Sequence, residues 1–262
     1  MFTSSELSRY SRNILLIGKE NQEKLKNSIV SVVGAGGLGS PVLCYLAAAG
    51  VGEIRIADSD SVDITNLQRQ ILYNTNSIKK SKSDRAKEKL ENLNPNLKII
   101  SFPHRLNRDN IYTFIENSNV VIEGSDNFGT KFLTHDACYF KKIPWIIGGI
   151  LRFDGQVISG VPDRDACYRC IFNSPPPDGK IPTCSEAGVL GSLAGIIDSI
   201  QATVAIQFLI QIDQIGHVMS FDSINMELRK RKVKKNIHCP ICGEVKLITG
   251  LTDISTDPIC TL

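Results

Sequence analysis

An apolar, β-branched run, Ile29-Val30-Ser31-Val32-Val33, breaks directly into Gly34-Ala35-Gly36-Gly37-Leu38-Gly39 and then into an Ala- and Leu-rich stretch ending at Gly50. A short run with no polar face is a strand buried on both sides. The stretch after the glycines, 40–49, reads as a helix with Gly50 at its C-terminal cap. Strand, glycine turn and helix in that order open a parallel sheet with right-handed crossovers, which excludes all-α and all-β folds. The alternation continues. Strands are predicted over 53–57, 98–102, 120–123 and 145–148, and helices over 84–93, 110–116 and 131–140. Upstream, Thr3-Ser4-Ser5-Glu6 is a capping box ahead of a helical pattern through Leu7, Tyr10 and Ile14, and 19–26 reads as a second short helix.

Near Gly149 the texture changes. The segment 156–161 reads as an antiparallel strand, 173–182 as a proline-rich loop, and 217–222 with 225–233 as paired strands after a long helix. The expected fold is therefore α/β and Rossmann-like, a mostly parallel central sheet continued by antiparallel strands. It is one unit over 1–262, with a nucleotide-binding half to about 149, a second half over 150–245 and a tail over 246–262. The longest apolar stretch, 189–212, carries Asp198, Gln201, Gln207 and Gln211, four polar groups that a lipid-spanning helix would have to bury. With no secretory signal at the N-terminus, a cytoplasmic protein with no membrane partner is expected. A net charge of +3 is too small to argue for a nucleic-acid partner. Eight cysteines in a reducing compartment point to metal or catalysis rather than to disulfides.

Gly34, Gly36, Gly37 and Gly39 let the backbone approach a phosphate at the N-terminus of the following helix. Asp58 ends the next strand, where a carboxylate accepts hydrogen bonds from ribose hydroxyls. That pair does not distinguish a dinucleotide from ATP. Asn66, Arg69, Gln70, Lys82 and Arg85 do, because cations beyond the ribose suit an enzyme that must neutralise a departing pyrophosphate. On the plainer reading Arg69 and Lys82 are surface charges, Lys82 lying in a lysine-rich run. Gly124-Ser125-Asp126-Asn127 follows a strand at the edge where parallel sheets hold ligands. Asp126 there suits Mg²⁺, and also suits an N-cap for the next helix.

Two C-x-x-C pairs, Cys167/Cys170 and Cys239/Cys242, can close a tetrahedral Zn²⁺ site. Neither pair opens a helix directly after a strand, which argues against a thioredoxin-like motif. Cys184 stands in a polar loop ahead of the long helix, an environment that favours a thiolate. Cys44 and Cys138 fall in helical patterns and read as core.

Taken together these residues resemble the MoeB/ThiF family, which adenylates the C-terminal glycine of ubiquitin-like sulfur-carrier proteins. The resemblance spans about residues 5–245. It rests on Arg9-Tyr10-Ser11-Arg12, GAGGLGS at 34–40, Asp58, Asn66 to Gln70, Lys82, Gly124 to Asn127, PTCSEAGVLG at 182–191 and the two cysteine pairs. It implies that the glycine loop and Asp58 hold ATP, that Asn66, Arg69, Gln70 and Lys82 serve the phosphates, and that Asp126, with Asn127 beside it, binds Mg²⁺. It further implies that Arg12 completes the site of the other subunit of a homodimer, that Cys184 is the family's loop cysteine, and that the paired cysteines bind structural zinc. The substrate would be a carrier of MoaD or ThiS type ending in Gly-Gly, feeding molybdopterin or thiamine biosynthesis. The sequence ends near the zinc pair, so the sulfur is expected from a separate donor protein. Two alternatives use the same residues: adenylation of a peptide or small-molecule carboxylate, and an NAD-dependent oxidoreductase. The second leaves Asn66 to Gln70 and the cysteine pairs unexplained.

Overall fold

The computed structural model of the chain describes residues 2–176, 187–212 and 215–252. Eight strands form one sheet: β1 (Ile29–Val33), β2 (Glu53–Ala57), β3 (Lys98–Phe102), β4 (Val120–Glu123), β5 (Trp145–Leu151), β6 (Asp154–Gly160), β7 (His217–Asp222) and β8 (Glu227–Lys232), in spatial order β3-β2-β1-β4-β5-β6-β7-β8. The first five pair in parallel and the last three antiparallel, as the sequence predicts. The order reverses between β1 and β4, so a crevice opens there at the C-terminal ends of the strands. The register aligns those ends: Phe102, Ala57, Val33, Glu123 and Ile147 lie in one row across the sheet. Asp58, Gly34 and Gly124 each stand one residue beyond that row.

Helices α1 (Ser4–Arg9) and α2 (Ser11–Lys26) precede the sheet, and α3 (Ser40–Ala49), α4 (Lys82–Leu93), α5 (Ile111–Ile115), α6 (Phe128–Lys141), α7 (Tyr168–Ile171) and α8 (Gly191–Leu209) follow. One face of the sheet is covered by α3, α4 and α8, where Leu43, Leu46, Leu90 and Ile197 are buried against Ile54, Ile56 and Val157. The other is covered by α5 and α6, with Ile111, Phe114 and Phe132 against Val121, Trp145 and Ile147. By length and composition α8 could cross a membrane, yet half of it is buried inside this fold, with Asp198 and Gln201 fully enclosed.

The Thr3/Glu6 capping box forms in full, and Gly50 closes α3 in the left-handed conformation. The N-terminal helical pattern is broken where the sequence gives little sign of it, at Tyr10, and again at Gly18 with φ of 80°. Helix α4 starts two residues earlier than predicted because Ser81 caps it, which puts Lys82 in its first turn. Strand β5 runs three residues past its predicted end, because β6 pairs along its whole length.

Candidate active site

The turn after β1 is fixed by contacts that only glycine permits. Gly34 has φ of +89°, and a Cβ there would stand 3.0 Å from the Gly124 backbone. A Cβ on Gly39 would lie 2.0 Å from the Gly34 carbonyl oxygen. The loop is therefore folded back on itself and pressed against the turn after β4, which brings both ligand-facing loops together. The Ala35 N–H donates to Asp58 Oδ2 at 2.8 Å, and the Asp60 N–H donates to Oδ1 at 2.9 Å. Burial lifts the Asp58 carboxyl above its ordinary value, against the opposing pull of Lys82 and these two donors. The Tyr73 hydroxyl donates to Ala35 C=O at 2.8 Å and is also 3.1 Å from Lys82 C=O, which ties the glycine loop to the start of α4.

The cations stand around this loop. Arg69 lies across Gly37, with Cδ 3.3 Å from where a Cβ would be, and its Nη1 donates to Thr65 C=O at 3.2 Å. Lys82 is buried rather than solvated, and its ammonium pairs with Asp60 at 2.8 Å. The surface-charge reading of Lys82 is thereby overturned. Gln70 is buried beside Gly36, with its Oε1 left without a hydrogen bond. Asn66 accepts from the Asp63 N–H at 3.1 Å, closing a capping box on the short turn Ile64–Asn66 that carries Arg69 and Gln70.

On the other side of the crevice Asp126 is exposed on the turn after β4. The N-cap of α6 falls to its neighbour: Asn127 Oδ1 accepts from the Thr130 N–H at 2.9 Å. That corrects the capping alternative for Asp126, leaves its carboxylate available to a cation, and gives Asn127 a structural task. Beneath this turn lies a pair that sequence reasoning missed. Lys131 Nζ donates to Glu123 at 2.6 Å, to Ser125 C=O at 2.5 Å and to Gly148 C=O at 2.7 Å, and both side chains are buried. Burial lifts the Glu123 carboxyl even with Lys131 against it. The three acceptors join the ends of β4 and β5 to the Asp126 turn, so Lys131 sets that turn's height. A second missed contact is Gln201 of α8, whose Nε2 donates to Glu123 C=O at 3.2 Å and whose amide fills the space beside Gly148. The signal available was a polar residue on the buried stripe of a helix.

The four paired cysteines meet. Their sulfurs all lie within 4.8 Å of one another, with Sγ···Sγ separations of 3.7 Å (Cys167–Cys170), 3.4 Å (Cys167–Cys239) and 3.3 Å (Cys170–Cys242). A tetrahedron of thiolates about 2.3 Å from Zn²⁺ has edges near 3.8 Å, so this cage fits that ion and leaves no ligand position open. The Asn236 N–H also donates to Cys170 Sγ at 3.4 Å. Cys167 caps the one-turn helix α7, so this pair does open a helix, but the meeting of all four sulfurs keeps the metal reading. The knuckle is anchored to α6. Arg169 donates to Asp136 from Nη2 at 2.8 Å and from Nε at 2.9 Å, and from Nη1 to Asn173 C=O at 2.9 Å. His135 Nε2 accepts the Tyr168 N–H at 3.1 Å, so its Nδ1–H is the donor to Asp136 at 2.8 Å. Burial opposes ionisation of Asp136, yet His135 and Arg169 hold its carboxyl below the ordinary value. Cys138 is buried in the core under α6, and Cys44 packs at the edge of the core on the opposite face. Arg12 is exposed on α2, away from the core of its own chain. Cys184 lies outside the described residues.

A model of the ThiF family matches residues 10–241. The chain belongs to the ThiF family. It is 40% identical to the sulfur carrier protein adenylyltransferase of Thermus thermophilus, over 96% of each chain. It is 39% identical to the SAMP-activating enzyme E1 of Haloferax volcanii, over 92% of this chain and 90% of that one. The adenylyltransferase and sulfurtransferase MOCS3 of Culex quinquefasciatus is 38% identical, and there the match covers 95% of this chain but 58% of the relative. The solved structure of Escherichia coli MccB with ATP superposes with a TM-score of 0.79 at 22% identity, over 89% of this chain and 74% of that one, a likeness of fold. With adenylyltransferases this similar over nearly its whole length, this ThiF-family chain is an adenylyltransferase.

Proposed function

We propose that this ThiF-family enzyme transfers the adenylyl group of ATP to the C-terminal glycine carboxylate of a ubiquitin-like sulfur-carrier protein. The observation that carries the reading is the convergence of Asp58, Arg69 and Lys82 on the Gly34–Gly39 loop, with Asp126 on the adjoining turn. The α3 N-terminus and the glycine N–H groups would cradle phosphate, and Asp58 would accept from the ribose. Arg69 and Lys82 would meet the charge that grows on the departing pyrophosphate. Asp126, assisted by its neighbour Asn127, is the residue to hold Mg²⁺, whose chemistry there is charge neutralisation. The substrate carboxylate is already ionised at neutral pH, so it attacks the α-phosphorus without a protein base. Pyrophosphate leaves and an acyl-adenylate remains. Catalysis is then positioning and electrostatics, which suits a site whose loops are fixed by Tyr73, Lys131 and close glycine contacts.

The sulfur step follows the same reading. The Cys184 thiolate would attack the acyl carbon and form a thioester as the bond to AMP breaks, and sulfide from a separate donor protein would then displace that thiolate to leave the carrier thiocarboxylate, for molybdopterin or thiamine biosynthesis. The thiolate cage would hold structural zinc, folding the second half without taking part in chemistry. A homodimer is supported by the apolar face beside the site. A groove of about 640 Å³ between α3 and α8 is lined by Tyr45, Ile71, Ile196 and Ile200, and Leu15 and Leu16 on α2 are 77% and 87% exposed. Arg12 precedes those leucines by one turn and would be carried into the partner's site.

ATP–pyrophosphate exchange tests the reading against a panel of purified Gly-Gly carriers, free peptides and small carboxylic acids. Exchange that requires a carrier is expected, and Asp126→Ala should lower it by about 10²-fold or more. Exchange driven as well by a small acid or an unrelated peptide would move the acceptor elsewhere. Cys184→Ser should keep exchange and lose thiocarboxylate formation; loss of both would place that residue in the adenylation step.

A further inference from the structure

Two buried lysines flank the crevice, and they are held in opposite ways. Lys131 is enclosed by three acceptors, Glu123, Ser125 C=O and Gly148 C=O. The Lys82 ammonium has one among the described residues, Asp60 Oδ2 at 2.8 Å. The two members of that pair differ in surroundings: the Lys82 side chain is 8% exposed and the Asp60 side chain 67%. The backbone around them is fixed. The Lys82 N–H donates to Asp60 C=O at 2.9 Å, the Val62 N–H to Lys80 C=O at 2.9 Å and the Lys79 N–H to Val62 C=O at 2.8 Å, and Ser61 bridges to Ser81. The Asp60 N–H is bonded to Asp58, and the Tyr73 hydroxyl joins Lys82 C=O to the glycine loop. Against that rigid frame, the Asp60 side chain bonds only Lys82 among the described residues.

A buried ammonium with no counter-ion is costly, so Lys82 needs one whenever no phosphate stands beside it. A carboxylate enclosed on every side, as Glu123 is beside Lys131, would hold the charge for good and leave none for a ligand. A carboxylate that stands in water can turn away at little cost, because solvent takes up its hydrogen bonds and an exposed partner contributes little to the pair. The Lys82 charge is felt in the loop itself: burial lifts the Asp58 carboxyl, and Lys82 is the strongest pull against that rise. Arg69, the other cation at the loop, forms no ion pair among the described residues and is held by Thr65 C=O. Asp60 therefore acts on Lys82 alone.

We infer that Asp60 is a positioning residue, an exchangeable counter-ion that neutralises Lys82 until the polyphosphate of the nucleotide takes its place. The inference rests on the reading above that Lys82 serves the phosphates. The sign of the effect is distinctive. Removing a residue that braces a site weakens the ligand, whereas removing a competitor for the lysine strengthens it. In titration calorimetry with Mg²⁺ present, Asp60→Asn should bind ATP and inorganic pyrophosphate each about threefold or more tightly than wild type. Asp60→Glu, which keeps the charge, should bind both as wild type. In a Lys82→Met background the gain should vanish, with Asp60→Asn changing either affinity by less than about 1.5-fold. Weaker binding by Asp60→Asn overturns the inference, because Asp60 would then hold the site or its metal. An equal gain in the Lys82→Met background overturns it as well, since Asp60 would then repel phosphate directly. A gain in Asp60→Glu as large as in Asp60→Asn would trace the effect to packing and has the same consequence. Each of these results leaves the role of Lys82 intact. If Lys82→Met alone binds ATP and pyrophosphate as wild type, the phosphate reading of Lys82 falls and the counter-ion falls with it.

Discussion

Lys131 occupies a helix position where burial calls for a leucine, and its charge is tolerated because three acceptors enclose it. Removing one member of a buried ion pair strands the other. Lys131→Met should therefore destabilise the protein by about 3–5 kcal/mol in urea titrations, whereas Glu123→Gln/Lys131→Met should recover much of that loss. The double variant should still exchange pyrophosphate more slowly than wild type, because the Asp126 turn loses its tether from Ser125 C=O. A stable double variant with full exchange would make the pair purely structural. Asp198 poses the opposite problem. It is fully buried in α8 near the first turn of α3, yet neither oxygen reaches hydrogen-bond geometry with a neighbour. Burial raises its carboxyl well above the ordinary value, so the folded protein holds it neutral. A folded-state value above the unfolded one favours folding at low pH, and that advantage is lost as pH rises through the folded value. Asp198→Asn, which cannot ionise, should flatten the fall in melting temperature as pH rises above the ordinary carboxylate range. Identical pH profiles for the two proteins would place a partner on that carboxylate. Residues of this kind were not legible in the sequence. The positions of Asp58, the four glycines and Asp126 were, because each falls in the turn after a predicted strand. Lys131, Gln201 and Tyr73 act through tertiary packing, and a single helix or turn does not reveal what it packs against.

Strands proved more legible than helix ends. All five parallel strands start where the sequence predicts, because Val30, Val32, Ile54, Ile56, Ile99, Ile122 and Ile146 are all buried, and the polar Ser31 and Arg55 among them donate to Phe114 C=O. Boundaries moved where a partner decided them: β5 was extended by β6, and α4 by the Ser81 cap. The cysteine pairs were legible as two turns. Their meeting was not, since 68 residues and α8 separate them, and only the sheet order carries β7 and β8 back toward α7. The knuckle then acts as a clamp between the C-terminal segment and α6 through Arg169, Asp136 and His135. A zinc ion in the cage would brace that clamp, so its removal should loosen the clamp rather than the glycine loop. Cys239→Ser should lower zinc content and melting temperature together, by roughly 6–12 °C for a loss of about 3 kcal/mol in a domain of this size. ATP affinity should change little. Full stability in a metal-free wild-type protein would leave the cage as four reduced thiols.

An apolar groove lies between α3 and α8 beside the loop carrying Ile71 and Arg69, and α2 exposes Leu15 and Leu16. Leucines 77% and 87% exposed on a kinked helix are costly in water, and a second copy of the chain packed there would remove them from it. The Arg12 side chain, exposed on the same helix, would then complete the partner's phosphate site as an arginine finger. Such sharing has a specific consequence in mixed dimers. Arg12→Ala and Asp126→Ala homodimers should each lose about 10²-fold or more of exchange activity, because every site lacks one charge stabiliser. In a heterodimer of the two, the site built on the Arg12→Ala chain keeps its own Asp126 and receives Arg12 from its partner, while the other site lacks both. Random mixing makes half of the dimers hybrid with one working site of two, so about a quarter of wild-type activity should return. Recovery should follow the rate of subunit exchange and be absent when the homodimers are crosslinked before mixing. If Arg12 served its own chain, the hybrid would have no complete site, and activity would stay at the level of the parents despite demonstrated exchange. Leu15→Glu/Leu16→Glu should yield a folded monomer that binds ATP and lacks exchange. An active monomer would show that the site is complete within one chain.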